Sequence, residues 1–124
     1  MAYPRFGRVQ LRIMQVLWQA GKANARDITD ALNKETPIAH STVQTLLRKL
    51  EIKGAISHTL DERTFVYCPL VPANKAAKEV SKEMIERMFE GSAAELVCHL
   101  IKQEQISKSE MQEIEKLLQE KKTT

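Results

Sequence analysis

The chain has 124 residues, 43% of them hydrophobic and 28% charged, and a formal net charge of +3 at pH 7. This length can bury one core but is short for two large domains, so we expect one compact domain with an appendage. No apolar run approaches the roughly 18 residues that span a bilayer, and the N-terminus lacks the basic-then-apolar order of a secretory signal, which predicts a cytoplasmic protein.

The positive charge is concentrated in the N-terminal part of the chain. Residues 1–72 contain ten Lys and Arg against six Asp and Glu, a balance of +4, whereas residues 73–124 contain nine against ten, a balance of −1. A basic part joined to a nearly neutral one is typical of a nucleic-acid reader attached to an assembly module.

Two helices are predicted before residue 34. The first is LRIMQVLWQA, whose core face carries Leu11, Met14, Leu17 and Trp18 and which stops at Gly21. The second begins after Asn24, whose side chain can cap the amides of the next turn. Pro37 then marks a turn, because proline biases its predecessor away from helix.

The segment 41–54, STVQTLLRKLEIKG, predicts a short amphipathic helix. Its apolar stripe consists of Val43, Leu46, Leu47 and Leu50, at positions i, i+3, i+4 and i+7. Its outer face consists of Ser41, Thr42, Gln44, Thr45, Arg48 and Lys49. Side chains of these lengths and polarities suit base edges and phosphates, although a solvated helix face has the same composition. Preceded by a short helix and a turn, the segment fits the second helix of a helix-turn-helix.

A β-hairpin is predicted directly after this helix. AISHTL and FVYCPL read as two strands joined by DERT, which makes a wing. Arg63 in the turn either approaches a phosphate or minor groove or is simply an exposed turn arginine. Pro69 and Pro72 mark the end of the hairpin. The predicted fold is therefore mainly α with a small β-hairpin wing: a winged helix-turn-helix DNA-binding domain over 1–72 and a helical dimerisation region over 73–124.

The C-terminal region reads as three short amphipathic helices without a core of their own. The third is announced by Ser107, whose spacing to Glu110 matches a capping box. Packing against a second copy of the chain is the simplest cover for their apolar faces, the alternative being that they fold back on the winged domain. The predicted dimerisation residues are Val80, Met84, Met88, Leu96, Leu100, Ile114, Leu117 and Leu118.

Neither catalysis nor metal binding is indicated by the titratable residues. His40, His58 and His99 lie in three different contexts, and no catalytic fingerprint is present, so we predict neither an enzyme nor a small-molecule substrate. Cys68 and Cys98 lie thirty positions apart without a close cysteine neighbour. Both are expected to be reduced and partly buried, with no metal site and no cofactor.

Four blocks of sequence resemble the BlaI/MecI/CopY family of penicillinase-type repressors. They are LRIMQVLW, STVQTLLRKLEIKGAISH, FVYCPLV, and FEGSAAELVCHLI followed by ISKSEMQEIEKLL, and their order and spacing agree with the family over nearly the whole chain. The resemblance implies a winged-helix domain, a helical dimerisation region and repression by a homodimer on an inverted-repeat operator. It also implies that Thr42, Gln44 and Thr45 occupy base-contacting positions.

The chain departs from the family pattern at two functional positions. Many relatives have arginine where this chain has Gln44, and these side chains prefer guanine and adenine respectively. Gln44 would instead be structural if Ser41 were the helix N-cap, since it would then complete a capping box. In beta-lactam-responsive members a membrane-bound sensor protease signals the drug and the repressor is cut in the helical region. The matching dipeptide here is His99-Leu100, in place of Asn-Phe.

Control of a beta-lactam-resistance-type operon by proteolysis is therefore a hypothesis for this chain. The copper-responsive members carry a cysteine-rich tail, whereas this chain ends in LLQEKKTT. A rival function from another class is a winged-helix module that uses the helix over 41–54 to bind protein instead of DNA. A steep loss of DNA binding with added salt would distinguish the two.

Overall fold

The structure, a computed structural model, describes residues 5–123. The helices are α1 Arg8–Ala20, α2 Ala25–Asn33, α3 His40–Ile52, α4 Ala73–Met88, α5 Ala93–Lys102 and α6 Lys108–Lys122. The strands are β1 Ala23–Asn24, β2 Ile56–Asp61 and β3 Thr64–Pro69. None of the helices in the described range is long and apolar enough to cross a membrane. The chain divides within α4 into two compact units, Met1–Glu79 and Val80–Thr124.

The N-terminal unit has the predicted winged-helix fold. β2 and β3 pair antiparallel, and their two-residue turn is Glu62-Arg63 with φ of 47° and 73°. Positive φ at both residues gives the connection a twist that matches the two strands. The strand order is β1-β3-β2, so Ala23 and Asn24 add a short third strand that periodicity did not predict. This strand places the start of α2 beside the wing.

The core lies between the three helices and the base of the hairpin. Its largest fully buried side chains are Ile13, Met14, Leu17, Ile28, Val43, Leu47, Leu50 and Ile56. Asn24 caps α2 as predicted, since its Oδ1 accepts from the Asp27 N–H at 2.8 Å. Trp18 packs at the edge of the core, and its Nε1–H donates to the Val71 carbonyl at 2.7 Å. That bond ties α1 to the chain that follows the wing.

The prediction was wrong for Leu11, which is 38% exposed. The buried stripe of α1 starts one residue earlier, at Gln10, and reaches Leu17 at i+7. A buried amide is tolerated there because its polar atom is paired. The Gln10 Oε1 accepts from the Gly7 N–H and from the Lys53 Nζ, both at 2.9 Å.

The C-terminal unit has little buried apolar surface. In α5 and α6 no side chain is fully buried. Ser107 caps α6 in the predicted capping box, because its Oγ accepts from the Glu110 N–H at 3.1 Å and the Glu110 carboxylate accepts from the Ser107 N–H at 3.0 Å. The exposed large hydrophobic side chains from residue 80 onward are Val80, Met84, Met88, Val97, Ile101, Ile114, Leu117 and Leu118.

Candidate nucleic-acid interface

The start of α3 decides what Gln44 can do. The N-cap is Ala39, with extended backbone (φ −74°, ψ 142°) and no side-chain cap, and the helix begins at His40. A capping box with Ser41 as its first member is therefore not formed, because Ser41 is already inside the helix. Gln44 is exposed and has no capping role. Its amide remains available to an external partner.

One face of α3 is polar and exposed from Ser41 to Lys49. All of the predicted contact residues on the helix lie on it, namely Ser41, Thr42, Gln44, Thr45, Arg48 and Lys49. The opposite stripe is buried through Val43, Leu47 and Leu50, each of them 0% exposed. The Thr45 Oγ1 donates to the Ser41 carbonyl at 3.1 Å, which uses its proton but leaves its lone pairs as acceptors.

A groove of about 450 Å³ brings the wing, α3 and the start of α2 together. Its lining contains Asn24, Ala25, Arg26, His40, Gln44, Arg63, Thr64, Phe65 and Tyr67. Gln44 and Arg63, nineteen positions apart in the chain, thus belong to one surface. Arg26 stands in the first turn of α2 and was missed by the sequence analysis. The sequence does contain a pattern that could have identified Arg26. It follows the N-cap of the first helix of a helix-turn-helix, and that helix crosses the DNA backbone.

His40 joins the two helices of the helix-turn-helix. The Thr29 Oγ1 donates to the Ala25 carbonyl at 2.8 Å and lies 2.9 Å from the His40 Nδ1. Because a hydroxyl has a single proton, this pairing assigns the shared proton to Nδ1, with Thr29 accepting it. The Nε2 is then the ring atom left for other partners. The orientation of α3 against α2 is fixed at its first residue.

A second cluster connects the C-terminal half of α3 to the wing. Both carboxylate oxygens of Glu51 lie 2.8 Å from the His58 Nδ1. The His58 ring stacks on Phe65 at 4.1 Å between centroids and 16° between planes. Beside them, burial raises the pKa of the Tyr67 phenol, the Glu51 carboxylate raises it further, and Arg48 opposes the shift. The charges of Glu51 and Arg48 thus both act at the base of the wing.

The predicted dimerisation and cleavage residues lie in the C-terminal unit. Leu96 and Leu100 are half-buried, whereas the other predicted dimerisation residues are exposed. His99 and Leu100 lie inside α5, and the His99 ring is 5.8 Å from that of Phe89.

The prediction of partial burial holds for Cys68 but is wrong for Cys98, which is exposed. Cys98 lies two positions, or about 200° around the helix, from both Leu96 and Leu100, which are half-buried. Within residues 5–123 no group of three or more His, Cys, Asp or Glu is placed to hold a metal ion.

This chain is similar in sequence and in structure to known proteins. A family model described as penicillinase repressor matches residues 6–120. The penicillinase repressor of Bacillus licheniformis is 28% identical over 119 residues, which cover 96% of this chain and 93% of that protein. The methicillin resistance regulatory protein MecI of Staphylococcus aureus is 27% identical over 109 residues, 88% of this chain and 89% of that protein.

A solved complex is also similar to part of this chain. It is the solution structure of monomeric BlaI of Bacillus licheniformis with the blaP half-operator. The two chains share 30% identity and a TM-score of 0.52, over 60% of this chain and 90% of that one. The match confirms the winged-helix fold predicted from the sequence.

Proposed function

The chain belongs to the penicillinase repressor family and is a DNA-binding repressor, and we propose that it acts as a homodimer on an inverted-repeat operator. The observation that carries this proposal is the exposed polar face of α3, which shares one groove with the wing. The solved complex of a 30% identical relative, in its monomeric form, with its half-operator supports the DNA-binding part of the proposal. Bound near a promoter in the cytoplasm, such a dimer blocks polymerase.

In this proposal each subunit inserts α3 into a major groove. Thr42, Gln44 and Thr45 face base edges, and adenine is the base that glutamine prefers. Ser41 stands at the same exposed N-terminal end of the helix. The basic side chains bind phosphates, which gives affinity without sequence preference. They are Arg48, Lys49 and Arg63, together with Arg26 across the groove.

The helical region 73–124 holds two such modules together. Its exposed apolar side chains, among them Leu117 at 61% and Met88 at 73%, support burial against a second copy. Tethering makes the second half-site contact intramolecular and raises the affinity without any new contact. The half-sites are then related by twofold symmetry and spaced by about one helical turn of DNA or a multiple of it.

The test of this proposal combines footprinting with sedimentation. Intact protein, Leu117→Glu and the matched control Gln119→Glu, which adds the same charge to the same helix, are titrated onto the DNA upstream of the gene. We expect a dimer and a protected inverted repeat for wild type and control, and a monomer with at least about tenfold weaker binding for Leu117→Glu. A monomeric wild type would contradict the homodimer. If the Leu117→Glu variant is still a dimer, α6 does not form part of the dimer interface.

Induction by proteolysis belongs to the same proposal. The names of the relatives, a penicillinase repressor and a methicillin resistance regulator, support control of a beta-lactam-resistance-type operon under a membrane-bound sensor protease. The bond His99-Leu100 is the proposed cleavage site. It lies inside α5, so the helix has to open locally before a protease can bind an extended segment.

Mass spectrometry of the dimer incubated with the activated sensor protease tests this step. We expect two fragments, one ending at His99 and one beginning at Leu100. A His99→Glu variant, which changes the residue before the bond but leaves α5 intact because His99 is exposed, should stay uncut and still repress. Intact wild-type protein under inducing conditions would remove proteolysis from the mechanism and leave DNA binding untouched.

A further inference from the structure

The carboxylate of Glu51 is electrostatically unfavourable on a DNA-binding surface. It is the one acidic residue of α3, and it lies on the same side as Gln44 and Arg48, at i+7 and i+3 from them. A carboxylate there repels the phosphates that the neighbouring basic side chains attract. The groups around it determine what it contributes instead.

The contact that Glu51 makes connects two elements of the interface. Its carboxylate accepts from the His58 Nδ1 at 2.8 Å, and the imidazole stacks on Phe65 of the other wing strand. The side chains of Glu51 and His58 are 35% and 31% exposed, so the pair is partly shielded from water. Among residues 5–123 it is the single side-chain hydrogen bond between α3 and the hairpin.

The hairpin beyond this contact has no core beneath it. From Thr59 to Phe65 every residue is exposed, including Leu60 at 66%. The turn lies four residues past His58, which at about 3.3 Å per residue is about 13 Å. A rotation of about 10° at His58 therefore moves the tip by about 2 Å, enough to break a hydrogen bond of ordinary length.

We propose that Glu51 and His58 are positioning residues, whose contact holds the wing at the angle from which Arg63 reaches the DNA backbone while α3 occupies the major groove. The inference rests on the proposed DNA contacts of α3 and the wing. In this role the Glu51 carboxylate accepts a hydrogen bond from His58 and links α3 to the wing, instead of facing phosphate without a partner.

Electrostatics alone predicts the opposite sign for the same substitution. Removing a negative charge from a DNA-binding helix strengthens binding when the charge acts only through space. If the carboxylate positions the wing, its removal weakens binding, because the contribution of Arg63 is lost with it. The direction of the change in Kd therefore separates the two explanations.

The experiment is a double-mutant cycle with intact protein, measured as Kd on the protected operator at several salt concentrations. Arg63→Ala is expected to weaken binding about tenfold. It should also lower the slope of log K against log salt by about 0.9 per lost phosphate contact. Glu51→Ala should reproduce both changes, and adding Arg63→Ala to it should cost less than about twofold more, because coupled residues are not additive.

Two further variants control for charge and for folding. Glu51→Gln keeps an acceptor for the His58 N–H and should bind within about threefold of wild type. Asp61→Asn removes the same charge from the exposed end of β2, and should bind at least as tightly as wild type and keep the full effect of Arg63→Ala. Thermal unfolding of each variant shows whether it is still folded. Partial unfolding would lower the fraction of protein that can bind but would leave the slope of log K against log salt unchanged, so a change in slope reports a lost phosphate contact.

Each outcome is decisive for the positioning role. Glu51→Ala binding as well as wild type or better would overturn it, as would a full Arg63→Ala effect in the Glu51→Ala background. An Arg63→Ala variant that binds like wild type would also overturn it, since the wing would then have no contact to position. Wild-type protein that protects no operator is a different result, which contradicts the proposed function itself.

Discussion

The proposed roles of Gln44 and Arg48 on α3, a base contact and a phosphate contact, predict different effects when each side chain is removed. Gln44 and Arg48 lie one turn apart on the same exposed face, so they approach the same stretch of DNA. We expect Gln44→Ala to remove a base contact and Arg48→Ala to remove a phosphate contact. The two variants should therefore differ in which DNA sequences they discriminate, and not only in affinity.

The expected magnitudes follow from the number of contacts. A bidentate pair between glutamine and adenine contributes about 1–3 kcal/mol of discrimination per half-site. For a dimer with two half-sites this is about 2–6 kcal/mol, so Gln44→Ala should weaken binding to the preferred operator by about thirtyfold or more. It should change binding little where the contacted base pair has already been altered. Arg48→Ala should weaken binding to every sequence and lower the salt slope by about 0.9 per subunit, about 1.8 for a dimer.

The assay is fluorescence anisotropy on the protected operator and its single-base variants, at several salt concentrations. Gln19→Ala serves as the matched control, because Gln19 is exposed on α1 of the same unit and outside the α3 face. It should bind like wild type. Equal losses for Gln44→Ala and Arg48→Ala on every DNA sequence, with unchanged salt slopes, would refute this assignment of roles.

The remaining predictions concern stability. Leu47→Ala should lower the free energy of unfolding by about 2–5 kcal/mol, because Leu47 is 0% exposed. Ile52→Ala should change it little, because Ile52 is 86% exposed. Chemical denaturation measures both variants, and equal losses of stability would contradict the assigned core. Asn24→Ala should cost about 1 kcal/mol in the same assay, and Asn24→Ser, which keeps a capping oxygen, clearly less. The Ser107 backbone N–H, and then its side chain, lower the pKa of Glu110, so this cap stabilises α6 above the ordinary pKa of a glutamate and is lost as the pH falls through the lowered value. In an NMR titration Ser107→Ala should raise the Glu110 pKa only part of the way to its ordinary value, because the backbone N–H of residue 107 remains; a full return to the ordinary value would contradict the larger effect of the backbone bond.

Local signals in the sequence were sufficient for most elements of the fold. The apolar period of 3.6 located α3, Gly21 marked the end of α1, and the Ser107 capping box marked the start of α6. These signals succeed because each depends on side chains within one or two turns of each other. The error at Leu11 is a rotation of one residue, which periodicity cannot detect when a polar residue such as Gln10 completes the buried stripe.

The features that give the candidate site its shape depend on residues far apart in the chain. The pairing of β1 with β3 brings Arg26 to the groove, and the pairing of Glu51 with His58 connects α3 to the wing. Neither pair has a spacing that a helix or strand period predicts. The capping alternative for Gln44 was also decided by the backbone, because α3 begins at His40 and not after Ser41.

The sequence by itself determined the order of the helices and of the two wing strands, the face of α3 that is polar, and the membership of the family, because periodicity and motif spacing are read along the chain. Only the tertiary structure decided which polar groups meet across elements. Such contacts depend on how the helices and the sheet pack together, and packing sets distances that linear spacing does not contain. The groove between Arg26, Gln44 and Arg63 is the clearest product of that packing.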